Sequence, residues 1–244
     1  SGDWSSDVCS SDLVVSADDP GMASSQNEQD NRHYAKAAAA PMIEPADSQE
    51  AYDFFLAAIE LSERWRIPVL FRMTTRVCHS RTAVRPRGEP LAAPEPSFVR
   101  DVPGRVMIPA FARPAHRRLR AKLAEIQQWN EESPLNREIS QGARLGIITS
   151  GVSYHHAREA APGADFLKLG LTWPLPVERI RRFVGAHEMV RVIEEGDPWL
   201  VDALRAEGMT VLGKPEMYRF GELTVERVRR ILANDESPEP APPR

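Results

Sequence analysis

Cysteine is scarce: the 244 residues hold only Cys9 and Cys78. Two thiols cannot make a four-cysteine zinc or iron–sulfur site. So low a count suits a reducing compartment, and a cytoplasmic location is the expectation. A basic excess is missing too. Lys and Arg number 31 against 35 Asp and Glu, a net charge of −4, so no global field favours nucleic acid. No apolar run reaches the roughly 18 residues of a membrane helix. The start has neither the basic stretch nor the apolar core of a secretion signal. What is present, 42% hydrophobic and 27% charged residues, is the composition of a globular chain with one large domain or two small ones.

The opening "SGDWSSDVCSSDL" repeats SSD and joins abruptly to a strand-like run. It reads as an artefactual leader, so residues 1–12, Cys9 included, are set aside from fold reasoning. The natural chain is then expected to begin further upstream, and this chain to be an interior fragment.

Beyond the leader, Leu13–Ala17 reads as a short buried strand and Pro41–Pro45 as a second extended segment. Asp47 is placed to cap a helix, with Glu50 three residues on as its reciprocal partner. Tyr52, Phe55, Leu56 and Ile59 would form its apolar face. Pro68 ends it, and Ile67–Met73 is β-rich, which makes a parallel strand–helix–strand unit. Residues 81–142 form a connector, Pro-rich from Pro86 to Pro114. Within it, the Pro-rich part gives way to a helix with Leu119, Leu123 and Ile126 on one stripe and Arg117, Arg118, Arg120 and Lys122 on a solvated face. From Ala143 the pattern alternates. Strands are predicted at Ala143–Gly151, Phe166–Gly170, Glu188–Gly196 and Met209–Gly213. Helices are predicted at Val152–Ala160, Val177–Val184, Trp199–Ala206 and Thr224–Leu232. That alternation predicts a doubly wound α/β sheet. Residues 233–244, acidic and Pro-rich, read as a disordered tail.

Several stretches suggest chemistry and are outweighed by plainer readings. "GIITSGVS" has phosphate-loop glycine spacing, but Val152 stands where the lysine must be, so it is a strand–helix turn capped by Ser150 or Ser153. His155 and His156 are adjacent, point about 100° apart on a helix, and chelate one ion poorly. Cys78 and His79, taken as strand neighbours, face opposite ways. Glu194 and Glu195 end a strand, where α/β folds present ligand groups, but a structural role is favoured. No catalytic and no metal-ligating residue is assigned. The stretch from Asp18 to Arg32 is the best candidate. It follows a strand's carboxyl end, turns at Pro20-Gly21, and offers Ser24 or Ser25 to cap a helix starting near Gln26.

The residues "DDPGMASSQNEQDNR", "ESPLNRE", "LGIITSGVSYHHAREA", "LKLGLTWPLP", "VIEEGDPWL" and "GELTVERVRR" resemble the alpha subunits of indolepyruvate:ferredoxin oxidoreductases, in the thiamine-diphosphate 2-oxoacid:ferredoxin oxidoreductase family. The resemblance runs from Leu13 to Leu232. It implies that residues 13–80 are the later part of a pyrimidine-binding-type parallel-sheet domain and residues 143–232 a transketolase-C-like doubly wound domain. It also implies that Asp18, Asp19, Ser24, Ser25, Gln26, Glu28, Gln29, Asp30 and Arg32 lie near the cofactor. The implied reaction is oxidative decarboxylation of an arylpyruvate to an aryl-acetyl-CoA, with ferredoxin as electron acceptor. Thiamine diphosphate, magnesium and iron–sulfur clusters serve the full-length enzyme, and a beta subunit, ferredoxin, coenzyme A and the arylpyruvate are its partners. The activating glutamate, the diphosphate domain and the cysteine-rich segment of that family have no counterpart in this sequence. This chain alone is therefore expected to bind none of those cofactors and to be inactive. The alternative is a freestanding, non-catalytic α/β binding or regulatory module.

Overall fold

The computed structural model describes residues 12–23, 25–86 and 100–239. Nearly all of the leader lies outside them, as do Ser24 and the end of the tail. Strand β1 (Leu13–Asp18) is followed by α1 (Arg32–Ala38), β2 (Met42–Ile43), α2 (Ser48–Trp65), β3 (Val69–Thr74) and α3 (Thr75–His79). Beyond the connector's α4 (Val102–Arg105) and α5 (Pro109–Asn130) come β4 (Arg137–Ile139), β5 (Leu145–Ser150), α6 (Ser153–Ala160) and β6 (Asp165–Leu169). The chain then runs through β7 (Leu171–Trp173), α7 (Val177–Gly185), β8 (Met189–Ile193), α8 (Trp199–Ala206) and α9 (Val225–Leu232).

Among the described residues these strands form two four-stranded sheets, in the orders β1-β3-β2-β7 and β4-β6-β5-β8. β1, β3 and β2 run parallel, as do β6, β5 and β8; β7 and β4 add antiparallel edges. The fold is α/β, as the alternating pattern implied. The boundary drawn in the sequence is crossed, however, because β7, from the later block, completes the earlier sheet.

Helix α2 starts where expected: Asp47 accepts the Glu50 amide at 2.9 Å. Glu50 does not return the bond to Asp47. Its carboxylate accepts the Ala46 amide and pairs with buried Lys168. The helix's buried face also differs. Phe54, Ala58, Leu61 and Trp65 pack inward with Leu123 and Ile126 of α5, while Phe55 is exposed. Both stripes have helical spacing. The rotation is settled by what α2 lies against, each buried large side chain contributing about 1.5–3 kcal/mol.

Other expectations are corrected. β1 is an edge strand with Val14 and Val15 about half exposed, not a buried one. No helix begins near Gln26; α1 starts six residues later, its preceding residue Asn31 making no side-chain cap. Neither Ser150 nor Ser153 caps α6: the Ser150 hydroxyl donates to Glu44 instead. Cys78 and His79 are in a short helix, and the Cys78 thiol is exposed, with burial of its surroundings raising its pKa. Met209–Gly213 makes a single parallel bridge, Leu212 to Arg191, rather than a strand. The tail is held back against α9 as far as it is described, through Arg230–Asp235 at 2.8 Å and an Arg227–Glu239 pair.

Candidate functional site

Parallel strands deliver their carboxyl ends to one side of a sheet, and here the two sheets bring those ends together. β1 ends in Asp18, β2 leads into Glu44, β5 ends in Ser150 and β8 leads into Glu194 and Glu195. Arg72 lies near the end of β3, and its guanidinium is the centre of the cluster. Its Nε donates to Asp18 at 2.5 Å, and its Nη1 lies 3.4 Å from Glu44. Glu44 in turn accepts the Ser150 hydroxyl at 2.9 Å and the Thr172 hydroxyl at 3.2 Å. One carboxylate thus joins three strands from both sheets.

The 18–32 loop is fastened across this seam. Asp18 also accepts the Asn31 amide at 2.7 Å. Asp19 closes the turn on itself, accepting the Ala23 and Ser25 amides, the Ser25 hydroxyl, and the Thr75 hydroxyl at 2.6 Å. Arg32 is fully covered. Its Nε and Nη2 grip Asp30 in a fork, at 2.7 and 2.5 Å. Its Nη1 donates to Glu194 at 2.5 Å, and its Nη2 reaches the carbonyls of Glu195 and Asp197 at 2.9 and 3.0 Å. Glu194 also accepts the Leu200 and Val201 amides at 2.8 and 3.0 Å, so the positive end of α8 shares its charge. At the loop's other end Gly21, with φ of +78°, lies so close to Gly221 and Glu222 that a side chain there would overlap their backbone. Beside that contact Arg76 and Glu222 form a two-point pair.

Burial sets the electrostatics. It would raise the Asp30 carboxyl, but the hydrogen bonds and charge of Arg32, with the charge of Arg72, hold it at about 2. Burial likewise works against charge on Arg32 and Arg72, and the carboxylates around them reverse it. Burial pushes Lys214 down to about 8, although its amine donates to the Glu194 carbonyl at 2.8 Å and Glu194 attracts its charge. Glu195 goes the other way. Burial raises it to about 7 against the pull of Arg72.

The structure thus uses Asp18, Asp19, Ser25, Asp30 and Arg32 as internal ties. Gln26 is exposed, and Glu28 and Gln29 are half-buried on the loop's outer part, with Glu28 close to Gly196. Ser24 lies outside the described residues. Among the described residues no three His, Cys, Asp or Glu side chains gather in a metal-holding arrangement, and His155 contacts Asp47 at 3.1 Å. Sequence reasoning missed Glu44, Arg72 and Lys214, and treated Glu195 only as half of a pair. Arg72, a charge inside the apolar run "VLFRM", was the available signal, because buried arginine is rare unless paired. It also missed Asn130 and Asn136, a buried amide pair that binds the backbone at Gly170, Leu171 and Pro174 and so positions β7.

No family model matches the chain. Over 228 residues it is 40% identical to the indolepyruvate oxidoreductase subunit IorA of Methanothermobacter thermautotrophicus, covering 86% of this chain and 37% of that protein. The chain thus spans less than two fifths of that curated relative. Among solved structures, a 2-oxoglutarate:ferredoxin oxidoreductase from Magnetococcus marinus superposes with a TM-score of 0.68 at 18% identity, over 93% of this chain and 49% of that one. A split-gene transketolase matches with a TM-score of 0.50 at 15% identity, over 91% and 65%. At such identities the two structures speak for the fold alone, an α/β arrangement of the transketolase and 2-oxoacid oxidoreductase kind.

Proposed function

We propose that this partial IorA-like chain works as the interior of a 2-oxoacid oxidoreductase subunit, the substrate being an arylpyruvate such as indolepyruvate. The observation that carries this reading is sequence likeness at 40% identity over 86% of this chain. In the longer protein the reaction would be oxidative decarboxylation to an aryl-acetyl-CoA, with ferredoxin taking the electrons. Thiamine diphosphate, magnesium and iron–sulfur clusters would serve the full-length enzyme, with a beta subunit as partner.

The part left to this chain is positional. Arg72 and Glu44 join the two sheets, and Arg32 fixes the loop's carboxyl end. The loop's outer side chains, Gln26, Glu28 and Gln29, are thereby presented at a set height above the strand ends. An amide there can donate to or accept from a neighbouring group without adding charge to an already charged seam.

The test uses the full-length subunit with its partner subunit. Gln29→Ala should lower arylpyruvate-dependent reduction of an electron carrier while leaving unfolding within about 0.5 kcal/mol, the usual scale for a surface change. Turnover equal to that of the parent protein would remove the loop from the site. Turnover with an aliphatic 2-oxoacid but none with an arylpyruvate would remove the substrate assignment.

A further inference from the structure

A cavity of about 430 Å³ lies where α1, α5, β7, α7 and α8 meet. That size falls within the range of small-molecule clefts, about 300–1,000 Å³. Its inner wall is apolar, with Leu123 from α5, Leu175 and Val177 from the start of α7, and Ala203 from α8. Trp173, the last residue of β7, adds an indole to that wall. Trp173 pairs with Met42, the first residue of β2. The cavity therefore opens toward the amino end of β2, whereas the seam is built at the carboxyl end, where Glu44 stands. None of the seam's side chains lines it.

Two cations stand at its mouth. Lys36 comes from the last turn of α1, and Arg120 from α5. Both are exposed, and among the described residues neither has a carboxylate partner. The Lys36 ammonium lies 5.8 Å from the centre of the Trp173 ring. Among the described residues Glu207 is the one acid in the lining, so the mouth carries a net single positive charge. Gln127 donates to the Leu175 carbonyl at 3.2 Å and is thereby held in place. The Trp173 indole N–H is buried without an acceptor, although buried donors are normally bonded.

These features specify a ligand. An indole and aliphatic side chains, with no hydroxyl among them, suit a flat apolar body, and aromatic rings attract one another beyond the area they bury. The excess positive charge at the rim suits a head group with one negative charge. A planar carboxylate matches the fork of a guanidinium and accepts from an ammonium as well.

We propose that this cavity is a binding site for an aromatic carboxylate: the ring lies on the apolar wall beside Trp173, and the carboxylate is held by Lys36 and Arg120. Such a ligand ties α1 to α5. Because α1 begins at Arg32, it also braces the helix that carries the anchor of the 18–32 loop. The site is made by this chain alone and stands or falls apart from the enzymatic reading.

Calorimetric titration of the 244-residue chain with naphthoate tests it. At low salt the dissociation constant should lie below about 1 mM. Naphthamide, the same ring without the charge, and octanoate, the charge without a ring, should each bind at least about tenfold more weakly. Lys36→Met combined with Arg120→Met changes two exposed side chains and should weaken naphthoate about tenfold or more with the fold intact. In nitrogen-15-labelled protein the Trp173 indole signal, assigned by its loss in Trp173→Phe, should shift most among the five tryptophans. No binding at about 5 mM naphthoate would overturn the proposal. Equal affinity for the amide or for octanoate, or unchanged affinity in the double variant, would overturn it as well. Should Trp173→Phe not fold, the double variant decides where the ligand sits.

Discussion

Replacing Arg32 by methionine tests whether the buried charges hold the two sheets together. The substitution keeps an apolar stem of similar length and removes the guanidinium. Glu194 loses its 2.5 Å partner but keeps the Leu200 and Val201 amides, so its charge remains partly compensated. Asp30 is left worse off, with the backbone amide of residue 32 at 3.2 Å and Arg72 Nη2 at 3.8 Å. The carbonyls of Glu195 and Asp197 each lose a donor. Breaking a buried ion pair from one side costs about 3–5 kcal/mol, and each lost hydrogen bond about 1 kcal/mol. Because α8 retains Glu194, the expected total is about 4 kcal/mol, the middle of that range. For a chain of this size that is a fall in melting temperature of about 8–16 °C. Urea unfolding of parent and variant at neutral pH measures it. Acid titration adds a second readout. In the parent, Asp30 sits at about 2, below its ordinary 3.8, so its contribution is present above 3.8 and is lost as pH falls through 2. In the variant that acid limb should move upward. A loss under about 1 kcal/mol, with no change in the acid limb, would show that the pair is as weak as an exposed one and that the loop is not fastened through Arg32.

Two further outcomes follow from the same geometry. Gly21→Ala should cost about 2 kcal/mol or more, because alanine at φ of +78° is strained and its methyl would meet the Gly221–Glu222 backbone; calorimetry checks this, and an unchanged melting temperature would mean that the contact is not held in solution. Asp165→Asn should flatten the acid limb of unfolding between pH 3.8 and about 2: burial alone would raise Asp165, but the Gln141 and Ala143 amides, with His187 and Ser140, lower it to about 2, so its contribution is lost as pH falls through that value. Identical acid limbs in parent and variant would contradict this.

What could be read in the sequence was whatever local chemistry controls. The Asp47 cap, the helix stop before Pro68, and the helices α6 to α9 depend on neighbours a few residues away. What was hidden depends on partners far along the chain. The stripe on α2 was assigned to Tyr52, Phe55, Leu56 and Ile59 because nothing local distinguishes it from Phe54, Ala58, Leu61 and Trp65; the contact with α5 does. Polarity in the 18–32 loop was read as ligand-facing. Much of it is turned inward: Arg32 pairs with Asp30 and with Glu194, 162 positions away. Glu195 could be named as a strand-end acid, but its burial beside Arg72, Lys214 and Arg32 was not legible.

The late strand in the early sheet has a consequence for how the chain is made. The Thr172 hydroxyl meets the Met42 carbonyl across 130 positions of sequence. At a synthesis rate of about 5–20 residues per second, the β2 edge waits roughly 6–26 s for its neighbour. Met42 and Ile43, both fully covered in the finished protein, are open to other chains for that interval. The first α/β unit therefore cannot mature as an autonomous piece while the rest is being translated. Its closing step comes only after the ribosome has delivered Trp173, and a chain cut anywhere in the 81–142 connector would leave that edge permanently available for aggregation.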